Sequence, residues 1–137
     1  MSDNIAAIDE QAFTYCANLE DITLPKSVTS IGKFAFEGCT SLRNVHIYDM
    51  SAFVQIYSQG YSSSPLTYAE NLYLKGAKVT DLVIPEGIKK VEGIFTRFSG
   101  FNSITFPKSL NYLGRNEFSS CKNLNAVYIS DLAAWCN

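Results

Sequence analysis

The sequence has little charge of either sign and contains no long hydrophobic run. Eleven Lys and Arg residues against thirteen Asp and Glu residues give a formal net charge of −2, and the basic residues form no extended cluster. A nucleic-acid or anionic-membrane partner requires a basic patch that neutralises phosphate groups. No apolar run approaches the ~18 residues that a membrane-spanning helix needs. We therefore expect neither a nucleic-acid partner nor insertion into a membrane.

The chain is equally poor in the residues from which an active site is built. His46 is the only histidine, so a histidine-rich metal site cannot be assembled, and the sequence pattern offers no Ser/His/Asp arrangement around it. It lies between Val45 and Ile47 on the polar phase of a predicted strand, and we expect it to face solvent. The glycine-rich motifs that cradle phosphates are absent from the sequence.

Carboxylate pairs, which glycosidases need on both sides of a cleft, occur only at predicted turns and strand edges. We expect these carboxylates to be solvated. We predict no catalytic residue, no metal site and no cofactor, and we interpret the chain as a non-enzyme; no ligand-binding residue can be assigned from the pattern. The pairs are Asp9–Glu10, Glu20–Asp21 and Asp81 with Glu86.

What the sequence does contain is an internal repeat. The segments around Cys16 and Cys39 share the pattern A-F-x-x-C-x-x-L, and the same unit recurs at 118–124, with a weaker copy at 95–101. A unit of about 23 residues is typical of solenoids, in which each unit buries its apolar face against its neighbours. The apolar fraction of 47% fits an ordered domain of this kind.

A longer period overlies the short one. Aligning residues 13–55 with 95–137 without a gap gives 15 identities in 43 positions, where average residue usage would give roughly 3. Cys39, for example, is carried onto Cys121. The two halves of the chain are therefore copies of each other.

One repeat unit shows how the solenoid would form. Ile22 and Leu24 alternate with polar residues, which is the period of a half-buried strand, and Pro25 then removes a backbone donor and ends it. Stacked units place equivalent side chains in ladders. We predict that the following ladder residues are buried: Phe13, Phe36, Cys39, Leu42, Phe118, Cys121 and Leu124.

The four cysteines admit two interpretations. No C-x-x-C pair is present, and Cys16, Cys39 and Cys121 occupy one ladder position, which argues against zinc. Neighbouring strands of a solenoid lie roughly 5 Å apart, so a Cys16–Cys39 disulfide is within reach. Parallel Cβ vectors favour free thiols that pack as small hydrophobes instead.

Residues 48–81 interrupt the regular pattern. Asp49 is a good N-cap for a short helix over 49–56 with its apolar residues on one face, and Asp131 is predicted to begin a copy over 131–136. Residues 72–74 and 79–84 are predicted to form two strands joined by a tight turn. We expect this stretch to protrude from the solenoid.

Tyrosines concentrate in the same stretch, at Tyr48, Tyr57, Tyr61 and Tyr68. Exposed aromatic side chains often mark recognition surfaces, but packing of the irregular stretch against the solenoid would explain them equally well. Both interpretations remain open from the sequence.

The repeat motif carries a family likeness. The pattern A-F-x-x-C-x-x-L-x-x-I-x-L-P-x-x-V-x-x-I-G, which stands at 12–32, resembles the BspA-like leucine-rich-repeat family of bacterial surface proteins. Segments 127–137 and 71–85 resemble spacers of large gut-bacterial members. The unit at 93–101 departs from the motif, because Phe98 and Phe101 stand where Cys and Leu are expected. The resemblance implies a secreted or cell-surface protein with a role in adhesion, and it carries over no catalytic residue.

Together these features predict a right-handed leucine-rich-repeat solenoid of short β-strands with short 3₁₀ or α turns and one irregular helix-plus-hairpin insertion. We expect a single domain over 1–137, with regular repeats at 5–47 and 82–129, an irregular spacer at 48–81 and the start of a second spacer at 130–137. The function we expect is a non-catalytic interaction or adhesion module with a protein or glycan partner. A structural spacer without a ligand is the alternative, and a glycan-binding or glycan-processing role is a third.

We also expect the chain to be an excerpt of a longer protein. Its first residues show no signal peptide, and its last residues lie one turn into a predicted helix. Solenoids cover their ends with capping repeats, and uncapped ends would favour self-association. The residues that we expect to be exposed at the ends are Ile5, Ile8, Leu124, Val127 and Ile129.

Overall fold

The computed structural model describes residues 4–60 and 62–131, which stack as a β-solenoid of about five turns. The described residues form twelve short strands, one α-helix (α1, Met50–Val54) and one 3₁₀ turn (Pro65–Thr67). The strands are β1 (Ala7–Ile8), β2 (Asp21–Leu24), β3 (Ser30–Ile31), β4 (Asn44–Ile47), β5 (Tyr57–Ser58), β6 (Asn71–Leu74), β7 (Ala77–Lys78), β8 (Asp81–Val83), β9 (Lys90–Val91), β10 (Ser103–Phe106), β11 (Tyr112–Leu113) and β12 (Ala126–Ile129).

The longer strands form two parallel stacks, one in each half of the chain. In the first, β2, β4 and β6 pair in register, so that Ile22, Val45 and Leu72 are neighbours. In the second, β8, β10 and β12 pair in the same way. Because each strand alternates outward and inward side chains, this register turns the repeat of the sequence into continuous apolar ladders inside the solenoid.

Five of the six two-residue strands, all except β7, form a second row along another side of the turns. β1, β3 and β5 pair in parallel, and β9 pairs with β11. Between these rows the chain turns through residues with left-handed backbone. Equivalent positions Gln11, Phe34 and Asn116 have φ values of 61°, 58° and 62°, and Gly93 has φ 84°. The repeat therefore imposes a left-handed residue at one fixed point of the turn.

The ladder residues are packed as the repeat predicted, with a difference between inner and outer turns. Phe36, Cys39 and Leu42 are fully buried. Phe13, Phe118, Cys121 and Leu124 are half-buried against the core, because the outer turns have a stacked neighbour on one side within the described residues. The Phe13 and Phe36 rings stack with centroids 5.2 Å apart.

Aromatic side chains replace the usual ladder residues in the unit at 93–101. Phe98 and Phe101 are buried, and their rings meet edge to face with centroids 4.7 Å apart. Phe95 contacts both Phe101 and Phe118. Phe98 and Phe101 therefore occupy the core positions that Cys and Leu occupy in the other units. Their edge-to-face contact adds to the stabilisation that comes from burial.

The predicted helix cap is present at Asp49. Its side chain accepts a hydrogen bond from the Ala52 N–H at 2.9 Å, and the helix buries Met50, Phe53 and Val54. This confirms the predicted helix, which ends at Val54 rather than at residue 56. The predicted copy at 131–136 lies almost wholly outside the described residues.

The predicted hairpin is present, but the prediction that its second strand lies at 79–84 was wrong. β6 turns back through Lys75 and Gly76, both with positive φ, and pairs antiparallel with β7 at Ala77–Lys78. Such a two-residue turn matches the twist of a hairpin, and the antiparallel pairing reaches no further than Val79, whose N–H donates to the Leu72 carbonyl at 2.8 Å. Residues 81–83 form β8 instead, which pairs with β10.

The expected protrusion was also wrong for most of the irregular stretch. β5 pairs with β3 and β6 pairs with β4, so these residues complete solenoid turns. At the first turn, Ile8 is buried, contrary to expectation, because β1 pairs with β3 and directs Ile8 onto the core. Ile5 and Val127 are exposed.

Candidate functional site

The outward side of the longer strands is a regular surface, because the parallel register repeats the same positions from strand to strand. On β2, β4 and β6 the residues that alternate with the buried positions point outward. Each strand contributes one residue to each of two rows. The first row, which we call the polar row, contains Asp21, Asn44 and Asn71. The second row contains Thr23, His46 and Tyr73, placed side by side by the parallel register.

The polar row is a chain of hydrogen bonds. Asn44 Nδ2 donates to Asp21 Oδ1 at 2.8 Å, and Asn71 Nδ2 donates to Asn44 Oδ1 at 2.9 Å. The central amide of Asn44 therefore uses one donor and one acceptor within the row. Such a ladder fixes the side chains before any partner arrives, which lowers the entropy that binding costs.

Beside it, His46 and Tyr73 form an aromatic platform. Their rings stack with centroids 4.9 Å apart and planes inclined by 13°. His46 Nε2 also lies 3.4 Å from Asp21 Oδ1. The histidine is thus on the outward face, as predicted, but it is held between an aromatic ring and a carboxylate rather than lying free in solvent.

The second half of the chain repeats this surface with different side chains. On β8 and β10, Ser103 Oγ donates to Asp81 Oδ1 at 2.6 Å, which continues the theme of the polar row. In the next row Val83 and Tyr128 are 58% and 59% exposed. We call the outward residues of all six strands the strand face; they are exposed or half-buried, and several are aromatic or apolar.

Two of the cysteines, Cys39 and Cys121, pack against the core, whereas Cys16 is exposed. Cys16, Cys39 and Cys121 are free thiols, so the structure shows the free thiols rather than the disulfide. Cys39 Sγ donates to the Phe13 carbonyl at 3.1 Å and Cys121 Sγ to the Phe98 carbonyl at 3.0 Å. Burial raises the pKa of both thiols, and the neighbouring Cys16 raises that of Cys39 further. Buried thiols with raised pKa values are poor nucleophiles.

The tyrosines of the irregular stretch differ in exposure. Tyr48 and Tyr57 are exposed, whereas Tyr68 is half-buried and its hydroxyl accepts a hydrogen bond from the Gly38 N–H at 3.2 Å. Tyr61 lies outside the described residues.

Across residues 4–60 and 62–131, no group of three His, Cys, Asp or Glu side chains is placed to hold a metal ion. No helix in that part of the chain is long and apolar enough to cross a membrane.

One buried carboxylate, that of Glu117, was not identified from the sequence. Glu117 is 1% exposed and accepts hydrogen bonds from the backbone N–H groups of Gly93 and Phe95. Burial raises the pKa of Glu117 to about 7. The sequence did contain an indication of this burial, because the longer repeat period aligns Glu117 with Ala35, a buried residue. A charge in an apolar ladder predicts a buried carboxylate.

Parallel strands stacked at the spacing of the repeat match a leucine-rich-repeat solenoid. A family model described as the BspA type leucine rich repeat region, with six copies, matches residues 6–71 and 67–134. The chain therefore belongs to the BspA-type leucine-rich-repeat family. Repeats of this kind are generally non-catalytic and generally mediate protein interactions.

Among solved structures, the chain is similar to a leucine rich cell surface protein from Faecalibacterium prausnitzii A2-165. The two share 21% sequence identity with a TM-score of 0.41, over 93% of this chain. The match spans 43% of the length of that protein. No curated protein matches the chain.

Proposed function

We propose that this chain is a non-catalytic adhesion module of a secreted or cell-surface protein, and that it binds a protein partner through the strand face. The observation that carries the proposal is the aromatic platform of His46 and Tyr73, which stands outward beside a fixed polar row. Aromatic side chains supply much of the energy of protein interfaces.

The strand face also has the composition of an interface. One row offers the stacked rings of His46 and Tyr73 and, in the second half, the exposed side chains of Val83 and Tyr128. The other row offers carboxylates that accept hydrogen bonds from an amide and from a hydroxyl. Aromatic contacts combined with hydrogen-bonding groups are typical of protein interfaces.

The main alternative is a structural spacer that holds other domains away from a surface. A spacer needs stacked turns but no exposed aromatic residues in a common row. The exposure of Val83 and Tyr128 on the strand face favours binding, because solvent-facing strand positions of a spacer are better filled by polar residues.

The location and domain limits belong to the same proposal. Membership of the BspA-type family supports a secreted or surface-attached module. We treat residues 1–137 as one repeat domain, with regular repeats at 5–47 and 82–129 and the modified turn at 48–81 between them.

The test is binding of the purified chain to a panel of immobilised extracellular-matrix proteins. We expect a specific partner whose binding falls at least tenfold when His46 and Tyr73 are both replaced by Ser, the loss expected of a central aromatic contact. Tyr15→Ser is the matched control, since Tyr15 is 74% exposed and lies in the segment between β1 and β2, outside the strand face. Equal losses in the two variants, or no partner in the panel, would contradict the proposal.

A further inference from the structure

A groove separates the two halves of the solenoid. The row of two-residue strands is paired from β1 to β5 and again from β9 to β11, but among the described residues β5 and β9 are not paired with each other. The groove follows this seam in two adjoining lobes of about 350 and 610 Å³, which share Tyr57 and Glu92. We call it the seam groove.

Its origin lies in the spacing of the repeat. Ile8 pairs with Ile31 exactly one repeat unit later, whereas the chain from Ser58 to Val91 is longer than one unit. The additional residues include the β6–β7 hairpin. The two backbones still touch at one point, where a Cβ on Gly93 would lie 2.8 Å from the Ser58 carbonyl oxygen. Both Ser58 and Gly93 line the larger lobe.

The groove gathers positive charge in a chain that is negative overall. Lys33, Lys89, Lys90 and Arg115 line it, four of the eleven basic residues, against Glu92 alone of the thirteen acidic residues. Glu92 is bonded to Lys90 within the groove, and no ion pair occupies Lys33, Lys89 or Arg115 among the described residues. The free cations would attract an anionic ligand.

Two tyrosine rings face the same space. Tyr57 and Tyr112 are 55% and 45% exposed. Tyr112 is held in place, because its hydroxyl donates to Glu92 Oε1 at 3.2 Å and Lys90 Nζ lies 4.9 Å from its ring centroid. A fixed, exposed ring offers a flat surface to a ligand at low entropic cost.

Among the described residues, the lining of the larger lobe contains no aliphatic side chain and includes the amides of Gln59 and Asn116. The smaller lobe adds Val54 and Ile56, which are both buried. A peptide partner would need an apolar pocket for an anchor residue. Sugar rings instead pair a weakly polar face, suited to tyrosine, with hydroxyl groups that amides bind. Carboxylate or sulfate groups on the sugar would meet the basic residues.

We propose that the seam groove binds an acidic oligosaccharide, independently of the strand face. Sugar rings stack on Tyr57 and Tyr112, while Arg115 and Lys33 bind the acidic groups. The site is separate from the one assigned above to a protein partner, so either can fail without the other.

The test is calorimetric titration of the whole chain with tetragalacturonate and with a heparin-derived tetrasaccharide, each at low salt. We expect at least one to bind, with affinity that falls as salt rises. For tetragalacturonate, the methyl-esterified tetramer should bind at least tenfold more weakly, because it keeps the rings and loses the charges.

Matched variants locate the site. Arg115→Gln should weaken binding about tenfold, the loss of a charge-assisted hydrogen bond, whereas Lys122→Gln, an exposed charge outside the groove, should change it less than twofold. Tyr57→Ser is compared with Tyr48→Ser in the same way, and circular dichroism confirms that each variant is folded. Binding of neither probe, equal losses in groove and control variants, or equally tight binding of tetraglutamate would overturn the proposal.

Discussion

The buried carboxylate of Glu117 makes the stability of the fold depend on pH, and Glu117→Gln tests this. The side chain is 1% exposed and accepts hydrogen bonds from two backbone N–H groups of the turn after β9. Glutamine has nearly the same shape but cannot ionise, so the comparison isolates the charge.

The magnitude follows from the shifted pKa. Burial, with a smaller contribution from nearby Glu92, raises the pKa of Glu117 from 4.5 to about 7, while backbone hydrogen bonds from Phe95 and Ile94 oppose the rise. Between these values the unfolded chain loses the proton and the folded chain keeps it. The free energy of unfolding therefore falls as pH rises from 4.5 to about 7, by up to about 3 kcal/mol at about 1.4 kcal/mol for each pH unit, and this group contributes no further change at higher pH.

The assay is urea denaturation of the wild type and of Glu117→Gln from pH 4.5 to 8. We expect the stability of the wild type relative to the variant to fall across this range and then to level off near pH 7.5. Glu20→Gln, at an exposed carboxylate, is the control and should follow the wild type. If wild-type stability instead rises relative to Glu117→Gln between pH 4.5 and 7, the backbone N–H groups outweigh desolvation and the pKa of Glu117 is not raised.

Three further predictions concern the same architecture. Asp49→Ala should lower the free energy of unfolding by ~1 kcal/mol in urea denaturation, because it removes the helix cap; an unchanged midpoint would contradict the cap. Gly93→Ala should cost ~1–3 kcal/mol by the same assay, through strain at positive φ and collision with Ser58, whereas Gly76→Ala, with the same φ of 84° but nothing within 4 Å, should cost clearly less; equal costs would show that the seam is loose. Val127→Lys should reduce self-association in light scattering, because Val127 is exposed on the last described turn; a wild type that stays monomeric at high concentration would refute this.

The ladders and the helix cap could be predicted because they depend on local chemistry repeated along the chain. Phe36 and Cys39 recur at a fixed offset, and a residue that recurs at the solenoid period must stack on its copy. Asp49 acts within its own turn, where its carboxylate meets the Ala52 N–H. Neither inference required knowledge of contacts distant in sequence.

The second hairpin strand could not be predicted, because two pairings competed for the same residues. Residues 79–84 are apolar enough for a strand in either sheet, and the choice was made by the Lys75–Gly76 turn, which brings Ala77 opposite Leu74 at once. Leu82 was thereby left to pair with Ile104. The sequence pattern alone does not show whether a strand pairs through a local turn or with a strand distant in sequence.

The seam groove was invisible in sequence for a related reason. Tyr57 and Tyr112 belong to different repeats and share the groove only because β5 and β9 separate. The lengthened spacing between Ser58 and Val91 was readable, but the direction in which the chain absorbs those residues was not. Glu117, by contrast, was recognisable in principle, since its copies hold alanine or isoleucine.

Whether a protein partner binds at the strand face is measured by amide chemical-shift mapping of the chain with the partner found by the matrix-protein panel. We expect the largest shift changes on the outward residues of β4, β6, β8 and β12, at His46, Tyr73, Val83 and Tyr128, with little change at the exposed Tyr15 or in the seam groove. Changes concentrated away from these strands would contradict the proposal.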